Sequence, residues 1–234
     1  MATRRLWGLI AAAGSGQRLC ADTPKQYHHL AGRPVLAWSI DALLEGADLQ
    51  AVVVVRAADD GRFEHIEQYR DERVSQCIGG AGRHESVRAG LVALRERGAA
   101  ETDPVLVHDA ARPAVPAADI ARLIEAVADD PDGGLLAAPV RDTLKRADAA
   151  GRAVETPSRQ GLWQAMTPQL FPLGRLQAAL ARGGPVTDEA QAMEALGARP
   201  RLVAGDPGNL KYTYPDDREA LVCAIERQRR GQRS

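Results

Sequence analysis

The chain has 234 residues, 45% of them hydrophobic, and a formal net charge of −1, a size suited to one large domain with a substantial core. That charge gives no global reason to bind nucleic acid or an anionic membrane, and no window approaches the roughly 18 continuous apolar residues of a membrane span. Aromatic residues are only 4%, so Ala, Val and Leu must fill the core; the scattered Cys20, Cys77 and Cys223 show neither metal spacing nor a disulfide framework, which fits a reducing, cytoplasmic compartment.

Residues 6–12 form an apolar run that empties into glycines. Arg4 and Arg5 precede it, but no small-residue cleavage pattern follows, so it reads as a first buried strand and not a signal peptide. The loop holding Gly14 and Gly16 is followed closely by Arg18 and, within Thr23-Pro-Lys-Gln26, by Lys25. Glycines let backbone N–H groups approach an anion, and the two cations bring full charge to the same place. The loop is neither a P-loop, since the chain has no Gly-Lys pair, nor a dinucleotide fingerprint, since Leu19 stands where the third glycine belongs. It suits a nucleoside triphosphate; the plainer alternative is a strand-to-helix turn without a ligand.

Strand-like runs recur at 51–56, 74–78, 105–108 and 135–140, and helical patterns at 35–44, 62–69, 85–97 and 119–128. This alternation predicts an α/β fold: a Rossmann-like, mainly parallel sheet flanked by helices. Ligands bind beyond the carboxyl ends of such strands, so the Gly14–Gly16 loop, the 79–82 loop and Asp109 should share one edge. Residues 141–159 are polar, contain Gly151 and Pro157, and break the pattern. They read as a protruding β-arm, and an isolated hairpin needs something to pack on, hence a partner subunit. Helices resume at 173–181 and 187–196, with Thr187 as the expected N-cap. A short strand at 201–203 precedes a loop over 205–210, and a last helix covers about 216–229. The basic 227–233 stretch reads as a solvated helix end. The organisation is one domain, 1–234, with the arm at about 141–159.

The segment Val105-Leu-Val-His-Asp-Ala-Ala-Arg-Pro113 carries the second set of chemical groups. Asp109, just after a buried strand, is placed to hold a Mg²⁺ bridging triphosphate oxygens. His108 reads as structural. Arg112 could meet a phosphate as a fork, or form a local ion pair with Asp109 across a turn. Thr143 lies at the base of the arm, Arg159 and Thr167 flank an apolar patch, and Lys211 follows a Gly-Pro-Gly-rich loop. Each alone reads as a solvated surface group. Together they suit a second, phosphorylated and polyhydroxylated substrate, while Trp163 is expected to pack.

The segments A-A-A-G-x-G-x-R, P-K-Q-Y, V-H-D-A-A-R-P, A-A-P-V-R-D-T-x-K-R, G-L-W-Q-A-x-T-P-Q, T-D-E-A and N-L-K, in this order from about residue 7 to residue 222, resemble the 2-C-methyl-D-erythritol 4-phosphate cytidylyltransferase family. The first two only place the superfamily of nucleotidylyltransferases; the third and fourth are far more specific. The resemblance implies a homodimer that binds CTP, with an arm completing the neighbouring active site. It makes Arg18 and Lys25 the pair that stabilises the transition state. It puts Ala12, Ala13, Gly14, Gly80 and Ser86 at CTP, beside Gly16 of the same loop. Asp109 matches the magnesium-site aspartate and Arg112 a neighbouring substrate-side position. Thr143, Arg159, Thr167 and Lys211 match positions that hold methylerythritol phosphate, and Thr187 lies near that substrate. Two departures stand out: Ala11 where proline is common, and Gly208 where some members carry an acid. The implied reaction is attack of the sugar-alcohol phosphate on the α-phosphorus of CTP. The alternatives are a cytidylyltransferase for another polyol phosphate, such as ribitol 5-phosphate, and a non-catalytic nucleotide-binding protein on the same fold.

Overall fold

In the computed structural model, which describes residues 4–14, 23–183 and 186–231, the apolar runs form one seven-stranded sheet. The strands and helices are β1 (Leu6–Ala11), β2 (His29–Leu30), β3 (Arg33–Pro34), α1 (Val35–Gly46), β4 (Leu49–Arg56), β5 (Val74–Ile78), α2 (Arg83–Glu96), β6 (Pro104–Asp109), α3 (Ala117–Val127), β7 (Gly134–Pro139), β8 (Arg146–Ala147), β9 (Ala153–Glu155), β10 (Trp163–Pro172), α4 (Leu173–Ala181), α5 (Glu189–Glu194), β11 (Arg201–Ala204) and α6 (Asp217–Gly231). The sheet order is β11-β7-β10-β6-β1-β4-β5. Neighbours run parallel except around β10, which is antiparallel to both β6 and β7. The chain builds outward from β1 through β4 to β5, then returns to place β6 on the other side of β1. That reversal opens a crevice at the carboxyl ends of β1 and β6, where open α/β sheets bind ligands.

Both faces of the sheet centre are covered, which is why the inner strands β1, β4 and β6 are near-continuously apolar, while the edge strands β5 and β11 carry polar, partly exposed residues. Leu9, Val53 and Val107 pack with Leu91, Leu94, Phe171, Leu176 and Met193 beneath α2, α4 and α5. Ile10, Val54 and Leu106 point the other way, to Leu36, Ile40, Ile120 and Leu123 of α1 and α3. A smaller cluster of Leu30, Val35, Tyr212, Leu221 and Ile225 seats α6. Among the described residues no helix is long and apolar enough to cross a membrane.

Four local expectations change. Residues 62–69 do not make a helix but two 3-10 turns, Phe63–His65 and Glu67–Arg70, broken by the extended Ile66. An eight-residue helical pattern is too short to outweigh local contacts, and here Asp60 caps the turn by accepting from Arg62 N at 2.9 Å. The helix expected from Thr187 starts at Glu189, with Asp188 as the N-cap accepting from Gln191 N; Thr187 instead donates to the Gln191 side chain. β10 was hidden because its first three residues are exposed while Met166–Phe171 are buried, so no single period runs through it. Trp163, expected to pack, is 36% exposed at the foot of the arm.

The arm itself is a hairpin. β8 and β9 pair antiparallel, held by Arg146–Glu155 at 2.7 Å and Lys145–Thr156 at 2.7 Å, and both strands are wholly exposed.

Packing is tightest where α2 crosses the sheet. A Cβ on Gly90 would lie 2.5 Å from Leu9 Cδ1 and 2.7 Å from Val55 Cγ2. Gly90→Leu should therefore lower stability by about 1–3 kcal/mol through overpacking, read as a drop in the urea midpoint; an unchanged midpoint would show that α2 does not sit this close.

Candidate active site

A pocket opens at the predicted edge. Its walls are the end of β1 and the loop after it (Ala12, Ala13, Gly14), the Lys25–Gln26 turn, the 80–82 loop with Arg83 and Ser86 of α2, Asp109 to Ala111, and Lys211. Eight residues expected in the site thus converge: Ala12, Ala13, Gly14, Lys25, Gly80, Ser86, Asp109 and Lys211. Gly16 and Arg18 lie outside the described residues. α2 points its N-terminus into the pocket, adding unpaired N–H groups and the positive end of the helix dipole.

The glycines are there for room. A Cβ on Gly79 would sit 2.6 Å from Ser86 Oγ, and one on Gly80 would sit 2.5 Å from Glu85 Cβ. A Cβ on Gly14 would meet no described atom within 4 Å, so there the missing side chain leaves open the pocket. Gln26 fixes the floor by donating from Nε2 to Ala12 O at 2.8 Å. Lys25 reaches across to Tyr212 O at 3.1 Å.

The electrostatic centre is Asp109, at the end of β6. Its Oδ1 accepts from Arg83 at 3.0 and 3.2 Å and its Oδ2 from Lys211 Nζ at 2.7 Å. Burial pushes this carboxyl up, but Arg83, then Lys211, overcome it and hold the group well below the usual carboxylate range. Arg83 is shared with Glu189, whose side chain is 1% exposed. Burial works against the Arg83 cation, and Glu189 and Asp109 outweigh it. For Glu189 burial dominates and raises the carboxyl against the pull of Arg83. Arg83 and Gln26 of the pocket wall, and Glu189 behind it, are the groups that motif reasoning left unassigned. Gln26 and Glu189 lay inside the P-K-Q-Y and T-D-E-A segments, but nothing local marked either as part of one site.

Arg112 does not face the pocket. Its guanidinium donates to Asn209 O at 2.6 Å and Ala165 O at 3.4 Å, so it forms no ion pair with the Asp109 carboxylate, whose partners are Arg83 and Lys211; it clamps the turn that carries Lys211. Thr167 is buried behind the site. Its Oγ1 accepts from Asp109 N at 3.0 Å and lies 3.0 Å from His108 Nδ1. His108 Nε2 lies 3.1 Å from Arg112 O, a carbonyl that can only accept. The proton is therefore on Nε2, and the Thr167 hydroxyl donates to Nδ1. Thr143 and Arg159 are exposed on the arm and Thr187 on the surface beside it, away from the pocket.

Could the residues hold Mg²⁺? Among the described residues no three His, Cys, Asp or Glu side chains form a cage. Magnesium does not require one: it commonly takes one or two carboxylates, substrate phosphates and waters. A single ionised carboxylate on the pocket wall, Asp109, fits that pattern.

The buried His108 generates a pH dependence. Burial pushes its pKa down to about 4, against the raising effect of Asp109. Between pH 6.5 and 4 the unfolded chain binds a proton that the folded chain refuses, so stability is full above about 6.5 and falls as pH drops. In chelator-treated protein, replacing His108 with Gln should flatten this limb by up to about 3 kcal/mol, measured by urea titration at stepped pH. Parallel curves for the two proteins would refute it.

Comparison with known proteins adds a family. The family model for 2-C-methyl-D-erythritol 4-phosphate cytidylyltransferase matches residues 6–225. The protein of that name from Ectopseudomonas mendocina (strain ymp) is 49% identical over 230 residues, covering 96% of this chain and 98% of its own. That from Pseudomonas aeruginosa (strain UCBPP-PA14) is 49% identical over 215 residues, covering 90% and 92%. A crystal structure of 4-diphosphocytidyl-2C-methyl-D-erythritol synthase matches with a TM-score of 0.85 at 41% identity, covering 95% of this chain and 99% of that one. The Francisella tularensis 2-C-methyl-D-erythritol 4-phosphate cytidylyltransferase gives 0.79 at 31% identity, over 94% and 99%. Matched in sequence and in fold from β1 to α6, the chain belongs to the 2-C-methyl-D-erythritol 4-phosphate cytidylyltransferase family.

Proposed function

We propose that the chain transfers CMP from CTP to 2-C-methyl-D-erythritol 4-phosphate, giving 4-diphosphocytidyl-2-C-methyl-D-erythritol and pyrophosphate, a step of non-mevalonate isoprenoid precursor biosynthesis. The observation that carries this reading is the gathering of Lys25, Arg83, Lys211 and Asp109 around one pocket lined by glycine loops and the N-terminus of α2. A phosphate monoester is already ionised at neutral pH, with a second pKa of about 6, so its attack on the α-phosphorus needs no general base. The barrier lies in bringing two anions into line, and alignment plus positive charge lowers it. Lys25 and Arg18 stabilise charge growing at the α-phosphorus and pyrophosphate. Lys211 receives the sugar-alcohol phosphate, on a turn held by Arg112 and Asn209. Mg²⁺, held by Asp109 and the phosphates, would neutralise the triphosphate.

We read the working unit as a homodimer. Thr143 and Arg159 match substrate positions of the family yet sit exposed on the arm, outside the lining of their own chain's pocket, which suits contact with the pocket of a second copy. Val154, Leu162, Trp163 and Leu202 expose apolar surface on and beside the arm, of the kind that marks an interface. The free thiols of Cys77 and Cys223 suit a reducing, cytoplasmic compartment.

Pyrophosphate should be released from CTP and Mg²⁺ with methylerythritol 4-phosphate and not with ribitol 5-phosphate. The reverse would reassign the second substrate, and silence with both, in protein that still binds CTP, would leave a binding protein. In the same assay Lys25→Ala should lower kcat about a hundredfold, the order seen on losing one transition-state donor, with little change in KM for CTP. An unchanged kcat removes Lys25 from that role. For the dimer, Leu162→Glu with Trp163→Glu should shift the mass measured by light scattering from two chains to one and abolish turnover while CTP still binds. Full activity as a monomer would dispose of the arm's role.

A further inference from the structure

Glu189 lies behind the pocket wall and, among the described residues, bonds to the site through Arg83. The connection is a continuous chain of contacts. Gln169 of β10, 1% exposed, accepts from Ala190 N at 2.9 Å and donates to Asp188 at 3.0 Å, gripping the first turn of α5 on both sides of Glu189. Glu189 in turn takes two Arg83 nitrogens, Nη1 and Nη2. The remaining reach of Arg83, through Nε and Nη2, goes to a single oxygen of Asp109, Oδ1. The other oxygen, Oδ2, is met by Lys211, whose side chain is 39% exposed on a loop.

A guanidinium opposite one carboxylate normally takes both oxygens in a two-pronged fork. Here the fork is formed with Glu189, and Asp109 receives only the edge that is left. We propose that Glu189 is a positioning residue: it holds Arg83 back from Oδ2, so that Asp109 keeps one oxygen that a cation can exchange for Lys211. This rests on the reading of Asp109 as the carboxylate that meets Mg²⁺. Without the charge on Glu189, Arg83 turns to face Asp109 squarely and closes both oxygens.

The test is CTP affinity, measured by calorimetry across a series of Mg²⁺ concentrations in the full-length protein, so that no turnover is involved. Glu189→Gln should raise the Mg²⁺ concentration needed for half of the metal-dependent gain in CTP affinity by about tenfold, the lower end of what outer partners of metal ligands cost. The double variant Arg83→Gln with Glu189→Gln removes the competitor as well, and should return to within about threefold of the unsubstituted protein. A folded Glu189→Gln protein with unchanged metal dependence, or a double variant as impaired as the single one, overturns the proposal. If Glu189→Gln does not fold, Glu189→Asp, which withdraws the carboxylate by one methylene, should give an intermediate rise, and no rise overturns the proposal equally. Asp109→Asn separates the two ideas: if it leaves the metal dependence unchanged, the reading of Asp109 itself fails; if it abolishes the dependence while Glu189→Gln does not alter it, only the positioning role fails.

Discussion

The Asp109 carboxylate is the constraint on which the site is built. It sits at the end of β6, almost fully buried, and receives Arg83 from α2 and Lys211 from the turn before α6. Removing such a charge from water costs several kcal/mol, offset only by close, well-directed partners. Three segments far apart in the chain must therefore arrive together for any of them to be stable there. Arg83 adds a fourth, because its other face is committed to Glu189 of α5. Leaving either member of that buried pair alone would cost on the order of 3–5 kcal/mol. Mutual dependence of this kind fixes these charged groups relative to one another.

Behind the charges stands a neutral layer that sets their position. Thr167 joins β10 to the Asp109 backbone and to His108, and Asn209 Nδ2 donates to Thr167 O at 2.9 Å. Arg112 closes the circuit onto Asn209 O. The antiparallel strand β10 is what makes this possible. Inserted between β6 and β7, it brings Thr167 beside the end of β6 and Gln169 beside α5, which a purely parallel sheet with a crossover helix would not do. The break in the sheet's parallel order is thus the feature that supports the site's geometry.

Much of this was legible in the sequence, and the exceptions have physical causes. Strands buried on both faces, such as β6 at Pro104–Asp109, are bounded by turns and announce themselves, as does the stripe Val87, Gly90, Leu91, Leu94 on α2. The edge shared by Gly14, Gly80 and Asp109 followed from each lying just after a strand of a mainly parallel sheet. β10 was not legible, because its burial changes midway as it passes from the arm into the core. The contacts of Arg112 were not legible either: its sequence neighbour is Asp109, but the chain turns at Arg112 N → Asp109 O and sends its guanidinium to residues about fifty and a hundred positions away. Arg83 and Glu189 were out of reach for the same reason. An ion pair spanning 106 positions leaves no trace in local spacing.

The arrangement also answers a difficulty inherent in joining two anions. A pocket that collects cations for phosphate would, if left uncompensated, repel itself in a partly desolvated setting. Here Lys25, Arg83 and Lys211 face Asp109 and Glu189, three positive groups against two negative, so these groups carry a surplus of only one charge. The cations are nonetheless not equally committed. Arg83 is tied at two points to a carboxylate that no solute reaches, so it serves the frame. Lys211 holds one oxygen of Asp109 by one bond, and its side chain is 39% exposed; the bonds of Lys25 include one to the Tyr212 carbonyl. An arriving phosphate can replace such partners with a stronger, fully charged one. Positive charge held in this way is stable at rest, with Lys211 and Lys25 bound less firmly than Arg83.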